Sequence, residues 1–148
     1  MGILKGSVVF LADLARRMTG DLEIDFISIS SYGQAAASSG TVRLLKDLDR
    51  DIEGRDVLVV EDIVDTGLSL AYIRKNLAAR NPRSLSIVAL LDKRQGRREG
   101  IYVDYVGFEI PDTFVVGYGL DYAEQYRGLA HVAALGDEEL RTGAGGGE

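Results

Sequence analysis

The residues best suited to chemistry lie in one run, Val57-Leu58-Val59-Val60-Glu61-Asp62-Ile63-Val64-Asp65-Thr66-Gly67-Leu68-Ser69. Its continuous apolar start reads as a strand buried on both faces. The strand ends in two adjacent carboxylates, and ligands of open α/β sheets bind beyond the carboxyl ends of the strands. Carboxylates placed there can accept hydrogen bonds from a diol or hold Mg²⁺ directly or through water. The turn after them offers backbone amides, two hydroxyls and a glycine at the start of a helix, which suits a phosphate dianion. The spacing predicts a ligand with a sugar diol and a phosphate close together. The competing reading makes Glu61, Asp62 and Asp65 mere turn and helix-start residues; their combination with Thr66, Gly67 and Ser69 weighs against it.

The elements around this run follow from hydrophobic periodicity. Ser7 is a candidate N-cap for a helix with Val8, Leu11, Ala12, Ala15 and Met18 on one face, ended by Gly20. Residues 22–30 alternate and read as a strand, and Val42 to Leu45 as a short one. The ten residues 31–40 are small and polar without periodicity, long for a connection and of the kind that carries function. A helix is expected from Leu68 to Ala79 with Leu70, Ile73 and Leu77 inward, then a buried strand over 85–91, then strands over Tyr102–Ile110 and Thr113–Val116. Strand–helix–strand order with wholly apolar strands argues for an α/β fold with a parallel sheet.

The chain has 148 residues, a formal charge of −6, no cysteine and one histidine. Disulfides, zinc–thiolate sites and a cysteine nucleophile are excluded, as is a multi-histidine metal site. Net acidity is a poor match to nucleic acid but permits a small phosphorylated ligand. No apolar run reaches the roughly 18 residues of a membrane span, and the start lacks a secretory apolar core, so the default is a cytoplasmic protein. Residues 1–141 read as one domain and the glycine-rich 142–148 as a disordered tail.

The segment Val59 to Ser69 resembles the phosphoribosyl pyrophosphate (PRPP) loop of the purine phosphoribosyltransferases. Asp65 is similar to the residue of the 6-oxopurine (hypoxanthine-guanine) enzymes, where adenine enzymes typically carry alanine. Leu4-Lys5-Gly6-Ser7 resembles the family's pyrophosphate loop and Ser30-Ser31-Tyr32-Gly33 the start of its mobile loop. Leu91-Asp92-Lys93-Arg94 and the run Val106–Val132 resemble its purine-binding end. These blocks span residues 4 to 132, roughly nine-tenths of the chain.

The resemblance implies a type I phosphoribosyltransferase fold: a mostly parallel twisted sheet flanked by helices, with a small purine-binding hood from the C-terminal part. It implies Mg²⁺-dependent transfer of phosphoribosyl from PRPP to hypoxanthine or guanine, with xanthine left open, giving IMP or GMP and pyrophosphate. Glu61 and Asp62 would hold the ribose hydroxyls and, with Asp121, the metal. Asp65 would act as general base or acid near purine N7. Thr66, Gly67, Leu68 and Ser69 would bind the 5′-phosphate, with capping by Thr66 and Ser69 compatible.

Lys5, Gly6 and Arg127 would face pyrophosphate, with a cis peptide between Leu4 and Lys5. Lys93 would donate to the purine 6-oxo group, which an adenine amino group cannot accept. Phe114 would stack on the purine, and Val115 and Asp121 would meet its edge. Ser31 and Tyr32 would begin the loop that closes over the site. His131 reads as a packing residue. A homodimer or homotetramer is implied.

The family has a helix and strand ahead of the Leu-Lys-Gly loop, so that strand is expected to be missing or nearly so, exposing an apolar groove and unpaired strand edges. A receiver domain is disfavoured because Val57–Asp62 lies far from the N-terminus. A PRPP-binding regulator of the same fold without transferase activity is the alternative function.

Overall fold

A computed structural model describes residues 1–31, 42–96 and 100–136. Tyr32, most of the loop to Gly40 and the 142–148 tail lie outside the described residues. Strands β1 (Gly2–Leu4), β2 (Phe26–Ser31), β3 (Val42–Lys46), β4 (Asp56–Val64), β5 (Ser84–Asp92) and β6 (Tyr105–Glu109) form a six-stranded sheet in the order β3-β2-β1-β4-β5-β6. Every neighbouring pair is parallel except β2–β3. Helix α1 (Val8–Ala15) follows β1, and α2 (Leu68–Ala78) crosses from β4 to β5. A separate antiparallel pair, β7 (Val115–Val116) and β8 (Ala133–Ala134), belongs to the C-terminal part. This is the α/β architecture expected.

The apolar runs explain the centre. β4 and β5 pair from Asp56–Ser84 to Val64–Asp92. Their alternate side chains enter opposite layers, as pleating requires. Val59, Ile87 and Ala89 meet Leu70, Ile73 and Leu77 of α2, while Val60 and Val88 meet Leu11 with Phe10 and Leu14 of α1. The 3.6-residue period of α2 therefore lands on one fully buried stripe.

Several expectations need correction. The strand expected to be missing or nearly so is there, but only as the three residues Gly2–Leu4, mid-sheet between β2 and β4. It is short, and the terminal ammonium of Met1 extends its reach by donating to the Leu58 carbonyl at 2.8 Å. Ser7 does stand at the N-cap but makes no capping bond; its buried hydroxyl donates to the Ile3 carbonyl at 2.6 Å, tying α1 back to β1. α1 ends at Ala15, before Met18 and Gly20. β2 begins only at Phe26, residues 21–25 being irregular, and the Asp25 carboxylate at its start accepts the amides of Phe26 and Asp49. The last strands are shorter than expected, Tyr105–Glu109 and Val115–Val116. His131 is exposed, at the rim of an open groove of about 660 Å³ lined by Phe10, Leu14, Leu90, Phe108 and Val132.

Ile3 is a core residue of the central three-residue strand. Ile3→Ala is expected to lower unfolding stability by about 2–5 kcal/mol, read from denaturant melts. A loss under about 1 kcal/mol would show that β1 contributes little to the fold.

Candidate active site

The parallel register brings the carboxyl ends of β1, β4 and β5 to one edge of the sheet, and most of the expected site residues collect there. The Leu4–Lys5 peptide is cis. Gly6 follows, and a Cβ on it would lie 1.6 Å from Asp62 Oδ2. Gly119, at φ +101°, presses as closely from the other side: a Cβ there would lie 2.2 Å from the Gly6 carbonyl oxygen. Lys5-Gly6, Asp62 and the turn at Gly119 are thus packed backbone against side chain, a closeness that only glycine permits at both positions.

Pleating separates the two adjacent acids. Asp62 shares the α1 side with Val60, and Glu61 the α2 side with Val59. The Asp62 Oδ1 accepts the Ile63 amide at 2.8 Å. Glu61 Oε2 is buried with no hydrogen-bond partner among the described residues. Burial, with the neighbouring Asp62 charge, pushes Glu61 well above the usual carboxylate range. Asp62 is also raised by burial, against the pull of the Ile63 amide and the Arg127 charge.

Among the described residues no group of three acidic or histidine side chains could hold a metal unaided. Glu61, Asp62 and Asp121 therefore do not form a ready-made cage. Mg²⁺ keeps most of its waters and is commonly held by one or two carboxylates plus substrate phosphates. Asp62, turned to the first loop, fits such a cation arriving with an anionic substrate, whereas the orphaned Glu61 oxygen lies on the other face of β4.

Next to the acids, α2 is entered through its N-cap Gly67, whose φ of +77° makes the turn from strand to helix. No side chain caps this helix, and its first turn holds no acid. Thr66 and Ser69 therefore do not act as caps. The amides at this positive helix end, with the two hydroxyls, suit a phosphate.

The purine-side candidates also meet. Lys93 is buried, which excludes a solvent-facing lysine. Its ammonium lies 3.9 Å from Asp65 and 3.1 Å from Asp112. Asp112 thereby ties the end of β5 to the segment carrying Phe114, which stays 40% exposed. Tyr122 meets the Phe114 ring edge-on, with centroids 5.3 Å apart at 81°. Val115 pairs with Ala134 in the small sheet.

Arg127 lies half-buried in the hood. It donates to the Gly119 carbonyl at 2.9 Å and sits 2.9 Å from Asp121. Its Nε is buried without a partner among the described residues. Glu124 reaches both Arg127, at 3.3 Å, and Lys5, at 2.9 Å. Ser31 pairs with Val42 at the end of β2, and Tyr32 lies outside the described residues.

Sequence reasoning missed Asp112, Gly119, Tyr122 and Glu124. Only the glycine carried a usable signal, within the Gly117-Tyr118-Gly119 turn, because what the other three touch is set by how the chain folds back on itself.

This arrangement, acids and amides at a parallel sheet's carboxyl edge, with cations from the first loop and the hood, is that of a phosphoribosyl-handling site. Residues 1–123 match the phosphoribosyl transferase domain family, and the chain belongs to it. It is 52% identical over 135 residues to the hypoxanthine-guanine phosphoribosyltransferase of Bacillus subtilis (strain 168), covering 91% of this chain and 75% of that one. It is 53% identical over 133 residues to the enzyme of that name from Mycobacterium tuberculosis (strain ATCC 25618 / H37Rv), covering 90% of this chain and 66% of that one. The chain thus spans about two-thirds to three-quarters of these relatives' lengths.

Solved structures agree. A hypoxanthine phosphoribosyltransferase from Staphylococcus aureus superimposes with a TM-score of 0.88 at 50% identity, over 93% of this chain and 74% of that one. The Trypanosoma cruzi enzyme in complex with the product IMP gives 0.85 at 48%, over 93% and 74%.

Two consequences are measurable. Gly6→Ala is expected to fold, because the Asp62 side chain can swing away, but to lose turnover by about 100-fold, the scale of a 1 Å misplacement; unchanged turnover would show that the close packing is dispensable. Glu61 holds its proton more tightly folded than unfolded. Its contribution to stability therefore falls as pH rises above its ordinary 4.5 and levels off beyond the raised value. Melts of Glu61→Gln and the parent should coincide near about pH 4 and favour the variant near about pH 7.5.

Proposed function

We propose that the chain catalyses purine salvage as a hypoxanthine-guanine phosphoribosyltransferase, moving phosphoribosyl from PRPP to hypoxanthine or guanine to give IMP or GMP and pyrophosphate. The observation that carries the base choice is the buried Lys93 ammonium beside Asp65. A 6-oxo group accepts from that ammonium, while an adenine amino group offers it no acceptor, and a site built to donate there rejects the base that cannot accept.

The roles of the other residues belong to this proposal. The 5′-phosphate rests on the amides and hydroxyls of Thr66, Gly67, Leu68 and Ser69. Glu61 and Asp62 orient the ribose. Lys5, the Gly6 amide and Arg127 take the diphosphate, where a planar fork suits phosphate oxygens. Phe114, braced by Tyr122, stacks on the base, and Val115 and Asp121 meet its edge. Asp65 handles the proton at purine N7. Asp62, with a contribution from Asp121, would hold a Mg²⁺ that supplies charge neutralisation for the diphosphate, and Glu61 would support it from the other face of β4.

The chain's own residues supply the rest: they hold sugar and base in line, and the low-dielectric edge strengthens each charged contact. Ser31 and Tyr32 would begin the segment that covers the site. Residues 1–141 are assigned to one catalytic domain, acting as a homodimer or homotetramer in the cytoplasm. Among the described residues no helix is long and apolar enough to cross a membrane.

Ultraviolet assays with PRPP and Mg²⁺ test the proposal. Turnover is expected with hypoxanthine or guanine, none with adenine, and none after EDTA. Asp65→Ala is expected to lower kcat by about 10²–10⁴-fold, the usual worth of a positioned acid–base group. PRPP binding without turnover on any base would favour a regulator.

A further inference from the structure

We propose that Glu124 is a built-in competitor for the substrate's diphosphate, a carboxylate held on the two cations that would receive that group. This rests on the placement of diphosphate at Lys5 and Arg127 given above. One Glu124 oxygen accepts from Lys5 Nζ at 2.9 Å and the other from an Arg127 guanidinium nitrogen at 3.3 Å. A single carboxylate therefore bridges cations from opposite ends of the chain, as two phosphate oxygens of a diphosphate would.

The hood is built to present it. Ala123 and Glu124 both have left-handed backbones, at φ 50° and 63°. Tyr122 and Gln125 close the turn with reciprocal amide–carbonyl bonds at 3.2 and 3.0 Å. The Glu124 amide donates to Asp121 Oδ2 at 2.8 Å, while Asp121 Oδ1 lies 2.9 Å from Arg127. One acid thus anchors the turn and the cation together. The Lys5 hydrogen bond, seconded by Arg127, holds Glu124 below the usual carboxylate range, so it is ionised at neutral pH.

Such a competitor has a clear use. The same cations bind the diphosphate of PRPP and the pyrophosphate released from it, so a site with bare cations would retain its product. A tethered carboxylate that reclaims Lys5 and Arg127 once the bond to ribose is broken weakens that hold. The Lys5–Glu124 pair is exposed, with both side chains about two-thirds accessible. The competition is therefore modest, and release stays reversible.

The test is the affinity of the full chain for pyrophosphate with Mg²⁺, by calorimetry, beside the KM for PRPP. Glu124→Gln is expected to tighten pyrophosphate about two- to five-fold, the range of an exposed ion pair, and to lower the KM for PRPP. Glu124→Asp, too short to span both cations, should shift both quantities the same way and covers the case in which Gln disturbs the turn. Unchanged or weaker pyrophosphate binding in both variants, with weaker binding in Lys5→Ala and Arg127→Ala, would overturn the competitor and make Glu124 a positioning residue. Unchanged binding in Lys5→Ala and Arg127→Ala would overturn the placement of diphosphate, and the competitor with it.

Discussion

Asp62 can lie against the first loop only because residue 6 has no side chain. Its carboxylate occupies the volume in which a Cβ would stand. The Gly6 carbonyl is backed in turn by Gly119, so three distant segments meet without intervening side chains. Much else depends on this contact. β1 must be central and end level with Asp62, α1 must start at once to pull the chain away, and the hood must fold back over the same edge. The buried Ser7 hydroxyl, bonded to Ile3, holds the loop between the first two of these.

Charge is distributed to match. The acids at the sheet edge are desolvated and raised, whereas the cations come from the rim and stay partly wet. Asp121 and Glu124 balance Arg127, and Glu124 balances Lys5, so the site holds opposite charges within hydrogen-bond reach although the chain is net acidic. That arrangement suits a reaction in which a sugar gains positive character while a strongly anionic group leaves.

Legibility followed the range of the interactions. β4, β5 and α2 were readable because a two-sided buried strand and an inward stripe are properties of consecutive residues. β1 was not, since Gly2-Ile3-Leu4 has no alternation and becomes a strand only by pairing with β2 and β4. Ser7 was placed correctly but with the wrong partner: the local rule says where a hydroxyl can cap, while the nearby Ile3 carbonyl decided what it binds. The capping role left open for Thr66 and Ser69 fell for a similar reason, because Gly67 turns the chain into the helix unaided by a side chain.

The site divides in the same way. The run from Val57 to Ser69 carries strand, acids, turn and helix start in consecutive residues, so its chemistry and the family it resembles could be read from residue order alone. What tertiary structure decided is which groups face each other across the edge. Asp112 and Asp65 flank Lys93, Tyr122 braces Phe114, and Glu124 bridges Lys5 to Arg127. Each of these contacts joins positions separated by other elements or by a turn whose direction is set by packing. Side-chain type limits what such a residue can do, but only the meeting of β1, β4, β5 and the hood in space determines what it does.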